Sequence, residues 1–132
     1  MDASEFTRNF ESALERLDEF AGLPIVNERD RAGIVKAFEF TFEQAWKSIQ
    51  KFAQAQGLDC RFPKESIQRG MEMGIVSLES EQSWLQMLKD RNVTSHVYRQ
   101  DIVHEVSDRI VAAHAAELRR VLTSLKEFAT RP

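Results

Sequence analysis

Arg91-Asn92-Val93-Thr94-Ser95-His96-Val97-Tyr98 places a permanent cation, an amide, an imidazole and a phenol within eight residues. A guanidinium stays charged at any physiological pH and can neutralise a phosphate, while an imidazole can move a proton near pH 7. The combination makes this the segment of the chain best suited to carry chemistry. The geometry depends on the backbone. On an unbroken helix the two side chains would lie about 140° apart and would not converge. Val93, Thr94 and Ser95 are poor helix formers, and Ser and Thr compete for backbone hydrogen bonds at helix ends. A break near Thr94 is therefore expected, with Arg91 at one helix end and His96 in the following turn. Residue types alone favour a plainer arrangement, a helix-end arginine bonding carbonyls and a surface histidine beside Tyr98.

The segment lacks a sustained apolar repeat, but the sequence on either side is strongly periodic. Phe6, Phe10, Ala13, Leu14, Leu17 and Phe20 recur at three- and four-residue spacing and predict a first helix. Asp2 with Glu5 offers a capping box, and Gly22-Leu23-Pro24 ends the helix. A long second helix is predicted from about Glu28 to Gln56, stopped by Gly57. Its stripe is Ile34, Phe38, Phe42, Ala45, Ile49 and Phe52, with Trp46 at the stripe's edge and expected in the core. Pro63 suits the first turn of a short third helix that carries Ile67 and Met71 and stops at Gly74. A fourth begins near Leu78 and carries Trp84, Leu85 and Leu88. The last runs from about Asp101 to Ala129 on Ile102, Val103, Val106, Ile110, Ala113, Leu118, Val121, Leu125 and Phe128. With no strand-period alternation, repeat or linker, the expectation is all-α: one domain over residues 1–132, an up-down bundle of four long helices plus one short one.

Composition bounds the function. A net charge of −3 argues against a broad nucleic-acid-coating surface, though a local basic pocket remains compatible with it. Cys60 is the only cysteine, which excludes an internal disulfide and a thiolate metal cluster. The N-terminus has no apolar signal segment, and no run approaches the roughly 20 apolar residues of a membrane helix, so a soluble cytoplasmic protein is expected. The three histidines are not at metal-ligand spacing, no Gly-rich phosphate loop is visible, and neither a metal nor a cofactor is expected. His114 projects onto the apolar stripe of the last helix and is expected to be packed. His104 lies on the polar side, and Glu39 and Glu43 read as ordinary surface charges. Phe40 lies opposite the core stripe of the second helix. It is either a lone exposed aromatic, one covered by a neighbouring helix, or a subunit contact.

The spacing Arg91, four residues, His96, one residue, Tyr98 resembles the signature of HEPN domains, which are small helical bundles. More closely, the chain resembles the branch encoded beside minimal nucleotidyltransferases and described as their substrate-binding subunits. Phe38-Glu39-Phe40-Thr41-Phe42-Glu43-Gln44-Ala45-Trp46-Lys47 is similar to that branch's Phe-Glu-Phe-Thr-Phe-Glu-Leu-Ala-Trp-Lys stretch, with Gln44 where Leu is common. Pro63-Lys64-Glu65, Trp84-Leu85 and Asp90-Arg91-Asn92 follow as landmarks in order. Arg99-Gln100-Asp101 departs from the Asn or Asp that relatives offer as a helix cap, which leaves the start of the last helix open.

The resemblance implies a metal-independent endoribonuclease of a toxin–antitoxin pair acting on RNA. Arg91 and His96 would be catalytic, and Asn92 would support them. A homodimer would bring two motifs into one cleft. The separate nucleotidyltransferase would act as antitoxin by adding AMP to Tyr98. The alternative is a non-catalytic substrate-binding subunit of a two-component nucleotidyltransferase. The chain cannot itself be the transferase, because the Gly-Ser and paired-aspartate pattern of those enzymes is absent.

Overall fold

A computed structural model describes residues 2–131. The helices are α1 (Ala3–Ala21), α2 (Glu28–Ala55), α3 (Pro63–Glu72), α4 (Glu81–Asn92), α5 (Gln100–Arg109) and α6 (Ala115–Ala129). A 3₁₀ turn at Leu78–Ser80 leads into α4, and another at Thr94–His96 follows it. A π-helical stretch at Ile110–His114 joins α5 to α6, so the predicted last helix is continuous but carries a local bulge. No strand occurs among the described residues. None of their helices is long and apolar enough to cross a membrane.

The helix ends follow local chemistry. The Asp2 side chain accepts from the Glu5 amide at 2.9 Å, capping α1 from one side. The reciprocal capping box sits instead at α2, where Asn27 Oδ1 accepts from the Asp30 amide and Asp30 Oδ2 accepts from the Asn27 amide. Gly57 and Gly74 close α2 and α3 at φ of 81° and 78°, a region that L side chains rarely adopt.

α2 is the axis of the bundle. α1 packs along it, and α3, α5 and α6 also contact it. Phe10 and Leu17 of α1, Phe38 and Phe42 of α2, Trp84 of α4 and Leu118 of α6 are essentially inaccessible, and with their neighbours they form one continuous core. Trp46 is buried as expected. Phe40 remains 58% exposed, so no helix of its own chain covers it. Ala113 corrects the sequence expectation. It is exposed, while His114 and Ala115 face inward. A π turn holds more residues than an α turn, so the bulge moves the buried face on by about one position. A strict 3.6-residue projection through Ile110 cannot register that shift.

Gly70 lies where α3 crosses α2. A Cβ there would stand 2.9 Å from Ile49 Cγ2 and 3.0 Å from Val76 Cγ2. Both are methyls of β-branched side chains held in the core, so neither rotates away freely. Gly70→Ala gains about 1 kcal/mol of helix propensity but incurs an overpacking cost of about 1–3 kcal/mol. The expected result is a net loss of about 1 kcal/mol, read as a lower urea midpoint with unchanged slope.

Candidate functional site

Trp84, Met87 and Asp90 follow one another at three-residue spacing on the buried face of α4. Asp90 thus enters the core as a carboxylate, with its side chain only 2% exposed. It is fully engaged. Arg109 Nε and Nη2 donate at 2.9 and 2.7 Å, His114 Nε2 lies at 2.7 Å, and Gln86 Nε2 donates at 3.1 Å. Desolvation acts to raise its pKa, but the hydrogen bonds from His114, Arg109 and Gln86 and the Arg109 charge outweigh it and hold the carboxyl at about 2. His114 is the packed histidine the sequence implies, buried and stacked on Phe38 with ring centroids 5.4 Å apart. The network ties the last turn of α4 to the π stretch and fixes the backbone from which Arg91 projects.

The break falls where the poor helix formers sit. α4 stops at Asn92, and the Thr94 hydroxyl donates to the Arg91 carbonyl at 2.8 Å, closing the helix end. The chain continues as a 3₁₀ turn, with the His96 amide on the Val93 carbonyl at 2.9 Å and the Arg99 amide on the His96 carbonyl at 2.9 Å. α5 then starts at Gln100, with no side-chain cap from Arg99.

The four predicted residues form two pairs. Arg91 Nε and Nη2 both reach Glu43 Oε1, at 2.8 and 2.5 Å, and Arg91 Nη1 lies 3.5 Å from Asn92 Oδ1. His96 Nδ1 is 3.0 Å from the Tyr98 hydroxyl, with the two rings edge to face. No hydrogen bond or ion pair joins Arg91 to His96 among the described residues. Tyr98 is 74% exposed and His96 is also exposed.

Glu43 is therefore no ordinary surface charge. Its Oε1 takes Arg91, while its Oε2 accepts from Trp46 Nε1 at 3.2 Å and lies 3.9 Å from Lys47 Nζ. Glu39 lies nearby, with its carboxyl below the usual value because the Thr94 hydroxyl favours the carboxylate. Burial opposes that effect, and Lys36 and Arg91 add to it. Thr94 has one proton, so its bonds to Glu39 and to the Arg91 carbonyl are alternatives. A phosphate approaching Arg91 would thus meet a guanidinium already paired and two carboxylates close by, not an open basic pocket. His104, expected to be solvated, is half-exposed and pairs with Glu28 at 2.5 Å. No cluster of metal-binding type occurs among the described residues.

Sequence reasoning passed over Glu43 and Asp90 as site-forming groups. Asp90 had a readable signal, an acid in register with Trp84 and Met87 on an apolar face. Glu43 had none, because its partner lies on another helix.

The search of curated proteins finds no match. Among solved structures, the crystal structure of ttk003001694 from Thermus thermophilus is similar, with a TM-score of 0.81 and 30% identity over 89% of this chain and 98% of that one. The sequence profile described as nucleotidyltransferase substrate binding protein like matches residues 5–127. That span runs from the first turn of α1 into the last turn of α6 and includes the whole Arg91–Tyr98 segment: the chain belongs to the HEPN-like family of nucleotidyltransferase substrate-binding proteins.

Proposed function

We propose that this chain is a metal-independent endoribonuclease of HEPN type, silenced when a separate nucleotidyltransferase adds AMP to Tyr98. The observation that carries the reading is the pairing of His96 Nδ1 with the Tyr98 hydroxyl at 3.0 Å on an exposed turn. It makes the proton-transfer group and the modification acceptor one unit. With Nδ1–H donated to Tyr98, His96 Nε2 keeps a lone pair that can take the proton of a ribose 2′-hydroxyl. The 2′-oxygen then attacks phosphorus, the bond to the 5′-oxygen breaks, and a cyclic phosphate forms. Arg91 neutralises the charge gathering on the phosphate oxygens. Asn92 steadies the guanidinium. The leaving 5′-oxygen needs a proton from an acid, and a second His96 in a two-fold homodimer supplies it.

The reverse tautomer serves the partner's reaction. If Tyr98 donates to His96 Nδ1, the phenolic oxygen is primed to attack the α-phosphorus of ATP, its proton passes to His96, and pyrophosphate leaves. The product puts a nucleotide and a phosphate anion on the turn that carries His96. It obstructs RNA by volume and by charge.

One observation favours a second reading, in which the chain is a non-catalytic subunit that presents Tyr98 to the transferase. Arg91 is already neutralised by Glu43, so a phosphate must displace that carboxylate or share the guanidinium with it. RNA cleavage by the purified chain in EDTA separates the two, since only the nuclease reading expects products. Tyr98→Phe keeps the ring and deletes the acceptor oxygen. After incubation with the partner transferase, ATP and magnesium, intact-mass spectrometry should show one AMP adduct on the parent chain and none on Tyr98→Phe. An equal adduct on both places the acceptor elsewhere.

A further inference from the structure

Between α3 and α4 runs a groove of about 240 Å³ that ends on the motif residue Asn92. Lys64 stands on the α3 side. Gln82, Gln86 and Lys89 line it from α4, and Leu85 and Leu88 supply its apolar surface. Gln82, Gln86 and Lys89 recur at four- and three-residue spacing, which places them on one face of α4. An adjoining cavity shares Lys64, Leu85 and Leu88 and is lined as well by Trp84 and the carboxylate Glu81.

Two features set this groove apart. First, no carboxylate is among its lining residues, in a chain whose net charge is −3. Second, neither Lys64 nor Lys89 has a hydrogen-bond or ion-pair partner among the described residues. The motif arginine and most of the other surface cations are already paired: Arg31 with Asp108, Arg69 with Glu72, Arg99 with Asp101 and Arg119 with Asp18. Lys64 and Lys89 thus bring two unpaired ammonium groups to one groove without a carboxylate of its own, the only acid of the adjoining cavity being Glu81. The amides narrow the class. Gln82 offers donors and an acceptor, Asn92, whose Oδ1 faces Arg91, offers its amide donors, and Gln86, whose Nε2 is tied to Asp90, keeps its carbonyl oxygen as an acceptor. Lysines for phosphates, amides for base edges and leucines for base faces match a nucleotide strand. The volume is below the roughly 300 Å³ of small ligand clefts, room for about one nucleotide within the groove.

We propose that the α3–α4 groove binds single-stranded RNA next to the scissile phosphate, with Lys64 and Lys89 as phosphate contacts and Asn92 as the junction to Arg91. The assignment rests on the reading of the Arg91–His96 segment as an RNA-cleaving site, because the contact between Arg91 and Asn92 makes groove and motif one surface. An acidic segment of the partner protein would also suit two lysines, so transferase binding is measured alongside RNA binding.

The test is binding of a fluorescently labelled single-stranded oligoribonucleotide, measured by anisotropy at several salt concentrations. His96→Ala serves as the non-cleaving background, compared with the same protein carrying Lys64→Gln and Lys89→Gln. Both lysines are exposed and unpaired, so the melting temperature should not change. The groove assignment expects a roughly ten-fold weaker affinity and a salt slope reduced by about 1.4, from about 0.7 per lost phosphate contact. Unchanged affinity and slope would overturn it, as would absence of RNA binding by the His96→Ala protein. Loss of transferase binding with RNA binding intact would also overturn it, assigning the groove to the protein partner. The nuclease reading fails separately. Groove-dependent RNA binding without cleavage by the parent chain keeps the groove and removes the nuclease. Cleavage and binding indifferent to both lysines keep the nuclease and remove the groove.

Discussion

His96→Ala should lower the RNA-cleavage rate roughly 10²–10⁴-fold, the range for removing a general acid–base group. The loss should appear in kcat, because His96 is an exposed side chain on a short turn and contributes little to RNA affinity or to folding. Arg91→Ala should be comparably damaging but through a different term. In the proposed reaction the guanidinium would meet charge that grows in the transition state, so both kcat and RNA affinity should fall. Removing Arg91 also leaves Glu43, 24% exposed, with only the more distant Lys47, at 3.9 Å, as its cation. A modest stability loss should therefore accompany Arg91→Ala and not His96→Ala. If two copies share the cleft, as proposed, a concentration dependence follows, and specific activity should fall once dilution separates the subunits. Equal single-turnover rates for His96→Ala and the parent chain would remove His96 from the mechanism.

The two histidines illustrate what a sequence makes legible. His114 fell on an apolar stripe, and burial followed from that periodicity. His96 fell in a stretch with no period, and its place rested on Val93, Thr94 and Ser95 disfavouring a helix. The break occurs there, and Thr94 itself closes the helix end. The core was legible almost throughout, because amphipathic spacing dictates which face is buried. The exception, Ala113, lies in the π stretch, where the period that supports such a reading changes. Long-range electrostatics were not legible. Glu43 and Arg91 are 48 positions apart, and Asp90 meets Arg109 and His114 across 19 and 24. Nothing in local spacing ties these charges to one another. The resemblance named the motif residues but not the carboxylate that holds Arg91, which a phosphate would have to displace or share in the proposed reaction.

Asp90→Ala should destabilise the fold by about 3–5 kcal/mol, the cost of removing one partner from a buried charged network. Arg109 is 39% exposed along its side chain and can turn to water, but His114 is only 4% exposed and would lose its hydrogen-bond partner inside the core. The expected value is therefore about 3 kcal/mol, read as a lower urea midpoint. Asp90→Asn keeps the shape and one acceptor oxygen and should lose less. The same carboxylate gives a pH signature. Its pKa is lowered from 3.8 to about 2, so its contribution is fully present above pH 3.8 and is lost as pH falls through about 2. The shift corresponds to roughly 2 kcal/mol at neutral pH. Between pH 5 and pH 2 the parent chain should lose about that much more stability than Asp90→Asn, which has no carboxyl to protonate at this position. An Asp90→Ala variant within about 0.5 kcal/mol of the parent, or identical acid curves for parent and Asp90→Asn, would show that the network does not hold α4 to the last helix. The position matters for function because Asp90 directly precedes Arg91. Asp90→Asn, folded but with a looser helix end, should therefore show weakened RNA cleavage while His96 and Tyr98 remain intact.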